Sequence, residues 1–88
     1  MPTVLHILGW RLYFFANERN EPMHVHCDNA EIRCKFWIDA EGFNLEMEYA
    51  LNASLRDLRE IKKVIYEHFD LIVEAWHKFQ ERKYGKDV

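Results

Sequence analysis

The chain has little glycine and proline, three and two residues among 88. No linker, internal repeat or low-complexity tract appears, and nothing between Ala53 and Gly85 forces a helix to break. The two cysteines, Cys27 and Cys34, lack Cys-x-x-Cys spacing, which excludes a zinc ribbon and reads as reduced thiols of a cytoplasmic protein. No apolar run approaches the roughly 20 residues of a membrane span. Residues 4–8 are too short for the apolar region of a signal peptide, and Met1-Pro2-Thr3 offers no positive start. Basic excess is also missing. A formal net charge of −3 argues against bulk electrostatic binding of nucleic acid, although a local basic face stays compatible with it.

What is present is apolar and aromatic. Hydrophobic residues make up 49% and aromatic residues 15%, far from the signature of disorder. One domain over residues 1–88 is expected, near the size at which a single core just suffices. Six Phe, four Tyr and three Trp exceed what so small an interior holds, so some rings are expected at the surface or at an interface.

Periodicity divides the chain in two. Residues 4–7 and 10–16 read as a hairpin around Leu8-Gly9, with Trp10, Leu12 and Phe14 on a core face and Arg11, Tyr13 and Phe15 on an open one. After the polar loop at residues 17–21, residues 24–28 read as a strand. Asp28-Asn29-Ala30-Glu31 is a turn by composition, and residues 32–39 alternate cleanly. Residues 43–51 alternate too but are rich in helix formers; strand is the reading preferred. Ser54 then stands as an N-cap with Asp57 three residues on. Leu58, Ile61, Ile65, Ile72, Trp76 and Phe79 fall on one helical stripe, bridged by Phe69. Glu60, Lys63, Glu67, Asp70, Glu74 and Lys78 form a solvated face. The expected fold is α+β: a small antiparallel sheet of hairpins over about residues 3–51, packed on one face by a long amphipathic helix over about residues 55–83. One long helix is the reading preferred, with a kink or a break near residues 68–70 as the alternative.

Glu21-Pro22-Met23-His24-Val25-His26 is the stretch most suggestive of function. Proline suits the first position of a strand, and histidines two apart share a strand face. With Val25 and Cys27 toward the core, His24 and His26 share the other face with Arg11, Tyr13, Phe15, Arg33, Lys35 and Trp37. Arg11, Tyr13, Glu21, His24, His26, Arg33, Lys35 and Trp37 are therefore the candidate ligand-binding residues. Rings that stack on bases beside cations that meet phosphates would suit an anion or nucleic acid. The plainer reading is a charged sheet face whose aromatics cover a protein partner. A divalent metal on His24 and His26 would need a third ligand, for which Glu21, Asp28 and His6 are candidates by sequence proximity alone. Acid–base cleavage of RNA by His24 and His26, with Arg33 or Lys35 on the phosphate and Tyr13 positioning it, is chemically sufficient without a metal. Cys27 and Cys34 fall on the apolar parity and read as inert core thiols.

The start Met1-Pro2-Thr3-Val4, the hairpin containing Gly9, and Asn20-Glu21-Pro22 before His24-Val25-His26 together carry a resemblance. Lys35-Phe36-Trp37-Ile38 and residues 71–79 with Glu74-Ala75-Trp76 complete it. From Met1 to about Phe79 the chain resembles the small prokaryotic family called domain of unknown function 4160. That family usually has a double proline before the first histidine; Met23 replaces the second one here. The resemblance implies a gene neighbour encoding another small protein, an arrangement similar to toxin–antitoxin modules. It assigns no reaction to His24 or His26. The expected function is a small cytoplasmic component of a toxin–antitoxin-like or regulatory module. It would bind a partner protein through exposed aromatics, a sheet edge or the helix overhang, with nucleic acid or a second copy as further partners, and with no membrane and no cofactor other than a divalent metal. The competing class is a ribonuclease-type toxin.

Overall fold

The computed structural model describes residues 3–15 and 21–84, with side chains as far as Arg82. Five strands, β1 (Thr3–Ile7), β2 (Trp10–Tyr13), β3 (His24–Asn29), β4 (Ile32–Asp39) and β5 (Asn44–Leu51), form one sheet in sequence order, every neighbour antiparallel. Two helices follow, α1 (Leu55–Glu67) and α2 (Phe69–Tyr84). The chain is thus the expected α+β fold, an antiparallel sheet with a C-terminal helical layer, and residues 44–51 of the 43–51 stretch resolve as strand, with Phe43 in the preceding turn. β2 is shorter than the expected second arm: the ladder ends at Tyr13, and Phe14 and Phe15 continue outside it. Expectations on Met1, Pro2, residues 16–20 and Gly85 fall outside the described residues.

Each hairpin is set by local chemistry. Leu8 and Gly9 both take positive φ, 54° and 84°, the pair of values that a two-residue turn needs to match the twist of its strands. The positive φ favours glycine at position 9, and a Cβ there would also press on the Asn29 side chain at 3.2 Å. Asp39 Oδ1 accepts from Gly42 N at 3.0 Å to close the β4–β5 turn. The β4–β5 ladder slips between Lys35 and Phe36, a bulge that leaves Glu48 as an extra residue in β5.

Trp10, Leu12, Val25, Cys27, Cys34, Phe36 and Ile38 line one sheet face and pack against Ile61, Val64, Ile65, Phe69 and Ile72 of the helices. Trp10 closes this core with its polar tip satisfied, donating from Nε1 to Glu60 Oε1 at 2.9 Å. Helix α1 starts on a reciprocal capping box: Ser54 Oγ accepts from Asp57 N at 3.1 Å, and Asp57 Oδ2 accepts from Ser54 N at 2.9 Å. The helical layer divides at His68, the alternative to the single long helix that the sequence favours. His68 leaves helical geometry at φ −117° and ψ 26°, and its ring Nδ1 donates to the Val64 carbonyl at 2.9 Å. A side chain that competes for the carbonyl four residues back bends a helix without proline or glycine. Among the described residues no helix is long and apolar enough to cross a membrane.

Ser54→Ala removes one half of the capping box and is expected to lower stability by about 1 kcal/mol in urea unfolding. An unchanged midpoint would mean that the box is not what starts α1.

Candidate functional site

The register builds the second sheet face in three rungs. Arg11 of β2, Asp28 of β3 and Arg33 of β4 lie side by side, alternating in charge, with Leu51 beyond. Tyr13, His26, Lys35 and Tyr49 form the next rung, and His24, Trp37 and Glu46 the third. The structure therefore brings together on one face all the candidates that parity placed there, and Glu21 joins them from just before β3.

The face is not open where the histidines sit. His24 is 0% and His26 3% exposed, and Tyr13 and Lys35 are buried with them. Trp76 of α2 covers His24 at a ring-centroid distance of 5.1 Å while meeting Phe14 edge-on at the same distance. One indole thus joins the helical layer to both sides of the sheet. His26 lies against Tyr13, stacked at 5.4 Å, and Phe15, edge-on at 4.5 Å. The two imidazoles meet each other at 5.2 Å and near a right angle. Tyr13, expected on an open arm, is enclosed for the same reason: Phe15 packs on it edge-on at 5.4 Å.

Polar groups in this cluster are paired. His24 Nδ1 donates to the Pro22 carbonyl at 2.9 Å, and the Ile38 amide donates to the Met23 carbonyl, also at 2.9 Å. Glu21 Oε1 accepts from Lys35 Nζ at 3.1 Å and stands 3.7 Å from His24 Nδ1. The hexapeptide beginning at Glu21 is therefore a clamp: its Glu21 carboxylate neutralises a buried lysine, its Pro22 carbonyl holds the His24 ring, and its Met23 carbonyl ties the start of β3 to β4. Lys35 also sits 4.4 Å above the Trp37 ring, and Arg11 4.4 Å above Tyr13. Trp37 Nε1 donates to Glu48 Oε1 at 2.7 Å across the bulge. Of the candidate cations Arg33 is exposed, Arg11 half-buried and Lys35 buried.

Tyr13 donates its hydroxyl to Asp28 Oδ2 at 3.0 Å. Burial, then that hydrogen bond and the Asp28 charge, push the phenol up from 10.0 to about 12, with Arg11 opposing. Burial likewise raises the Cys34 thiol to about 11 and the Cys27 thiol well above its usual value. Directly opposite one another on β3 and β4, both are free and buried. That is the chemistry of core thiols.

Among the described residues no group of three or more His, Cys, Asp or Glu side chains is placed to hold a metal ion. His6 pairs with Arg11 on β1, a strand away from β3. Two surface concavities, of about 330 and 350 Å³, lie beside Thr3, Phe14 and Phe79 and beside Leu8, Arg59 and Glu67, and neither is lined by His24 or His26. The sequence reading did not foresee Trp76 and Phe15 as covers of the histidines. Trp76 lies on the core stripe, and no local pattern says that a stripe residue will also touch a histidine of the second sheet face.

A family model described as Domain of unknown function (DUF4160) matches residues 9–77. No curated protein and no solved structure matches the chain.

His24→Ala empties a closed, hydrogen-bonded site and is expected to destabilise the fold by about 2–4 kcal/mol, read from urea unfolding. A loss under about 0.5 kcal/mol, the range of surface substitutions, would contradict the enclosure. Tyr13 supplies an alkaline test. Because its folded value lies above its unfolded one, its contribution to stability is complete below pH 10 and is lost as pH rises through about 12. Ultraviolet titration of the native protein should show a late-ionising tyrosine that is absent in Tyr13→Phe and earlier in Asp28→Asn; a late phase that persists in Tyr13→Phe would contradict this.

Proposed function

The chain belongs to the DUF4160 family, and from that premise we propose that it is the partner-binding component of a small cytoplasmic two-protein module, toxin–antitoxin-like in arrangement. The observation that carries this reading is the distribution of exposed apolar side chains. Phe43, Met47, Tyr49, Leu51 and Leu55 are exposed together in and beside β5. Large apolar groups gathered along one edge mark an interaction surface, whereas isolated ones do not.

The state of the histidine pair supports binding over catalysis. An acid–base nuclease needs both imidazoles within reach of a phosphodiester, and here His24 and His26 are 0% and 3% exposed behind aromatic rings. Lys35, the nearest cation, is already engaged by Glu21. Nucleic acid would find Arg33 exposed on this face, with Arg11 half-buried and packed on Tyr13. In the proposed role Glu21, His24, His26, Lys35 and Trp37 hold the sheet in shape, and the interface lies beside them.

Co-expression of the tagged chain with the product of the adjacent gene tests this. Joint elution of the two proteins through size exclusion is the expected result. The reading fails if the neighbour never co-elutes. It also fails if the chain alone arrests growth and a folded His24→Gln/His26→Gln form does not, which would return the role to the histidines.

A further inference from the structure

From the β5 edge we infer that the partner is held by strand addition, through an extended segment in which apolar residues alternate with Lys or Arg. The inference deepens the partner-binding reading above and rests on it. β5 is an end strand of the sheet, and among the described residues no strand lies on its outer side. At eight residues it is also longer than β1, the other end strand, which has five residues and a register slip between Thr3 and Leu5. An edge of this length presents a row of backbone donors and acceptors ready to pair with another extended chain.

Side chains on both faces of β5 are arranged for such an addition. Met47 lies opposite Phe36 on the core face and is 45% exposed; Leu51 lies opposite Arg33 on the other face and is 54% exposed. Phe43, just before the strand, packs on Phe69 at 4.7 Å and still shows more than half its surface. A sixth strand would extend both sheet faces and cover Met47 on one side and Leu51 on the other.

Charge selects the occupant. From Glu41 to Leu55 the chain carries Glu41, Glu46 and Glu48 and no Lys or Arg. Antiparallel self-pairing about a dyad near Met47 would bring Glu46 and Glu48 of both copies together at the axis, like charge against like. Carboxylates along an edge are what keep a strand from joining its own copy. A basic segment reverses the sign of the same contacts, and discrimination between partners then comes from the charges that repel the wrong one.

The test uses the full chain and a synthetic peptide of alternating valine and lysine, as long as β5, with hydrogen exchange read amide by amide. The expected result is slowed exchange at the β5 amides that point away from β4. Binding should weaken several-fold in Glu46→Lys, an exposed position whose replacement leaves the melting temperature in place, and again as salt rises. A valine–glutamate peptide should not protect β5. The inference is overturned if the valine–lysine peptide leaves β5 unprotected, if the glutamate peptide protects it equally, or if β5 becomes protected by self-association as the protein is concentrated. Failure of the two readings is distinguishable. Capture of the neighbouring gene's product with β5 unprotected in the complex keeps partner binding and removes strand addition. Protection of β5 by the peptide without capture of the neighbour does the reverse.

Discussion

The contact between His24 and Trp76 is the one on which the second sheet face depends. Amphipathic helices packed on one side of a small sheet normally leave its other side wet. Here Trp76 of α2, the helix that follows the break at His68, touches Phe14 of the core and also His24 of the second face. With His24 closed, His26 and Tyr13 close in turn through Phe15. An edge-to-face pair is worth about 0.5–1.5 kcal/mol beyond the area it buries, so several such pairs form a substantial part of the stability of a domain this size.

A lysine within this cluster sets the price of closure. An ammonium moved from water into an apolar site costs several kcal/mol unless it is paired. Lys35 has Glu21 Oε1 at 3.1 Å and the Trp37 face at 4.4 Å, which together replace much of its hydration. Glu21 is the more exposed partner, so the pair is anchored from the rim and only the lysine is withdrawn from solvent. Glu21 and Pro22 therefore do structural work: one neutralises the lysine, the other accepts from His24. A motif that looks like a ligand site by composition is, in this geometry, a device for closing a sheet face.

How far the sequence could be read follows from the range of each signal. Alternation at Trp10, Leu12, Phe14 and at Ile32, Cys34, Phe36, Ile38, and the Ser54–Asp57 cap, are local patterns, and the strands, core face and helix start came from them. The strand reading of residues 43–51 overrode their helix-forming composition because period two is a packing signal and propensity a weak one. The same parity correctly gathered His24, His26, Arg33, Lys35 and Trp37 on one face. Burial of that face was not legible, because its covers come from Phe15 and from Trp76, fifty residues beyond His26. Nor was the choice between a bent and an unbroken helix at His68, which turns on an imidazole competing for one carbonyl. A sheet edge is legible in the sequence as a surface, but not which side chains it exposes: Met47 and Leu51 alternate like core residues, and the structure leaves them 45% and 54% exposed.

A buried histidine pair beside an exposed apolar edge separates what holds this fold from what it offers to others. Hydrogen exchange at the imidazole carbon between the two ring nitrogens, followed by mass spectrometry, measures that separation most directly. The account predicts slow exchange at His24 and His26 and fast exchange at His6 and His77, which are exposed. Equal rates at all four would mean that the histidine pair is open to solvent, and would contradict the closed face from which the rest follows.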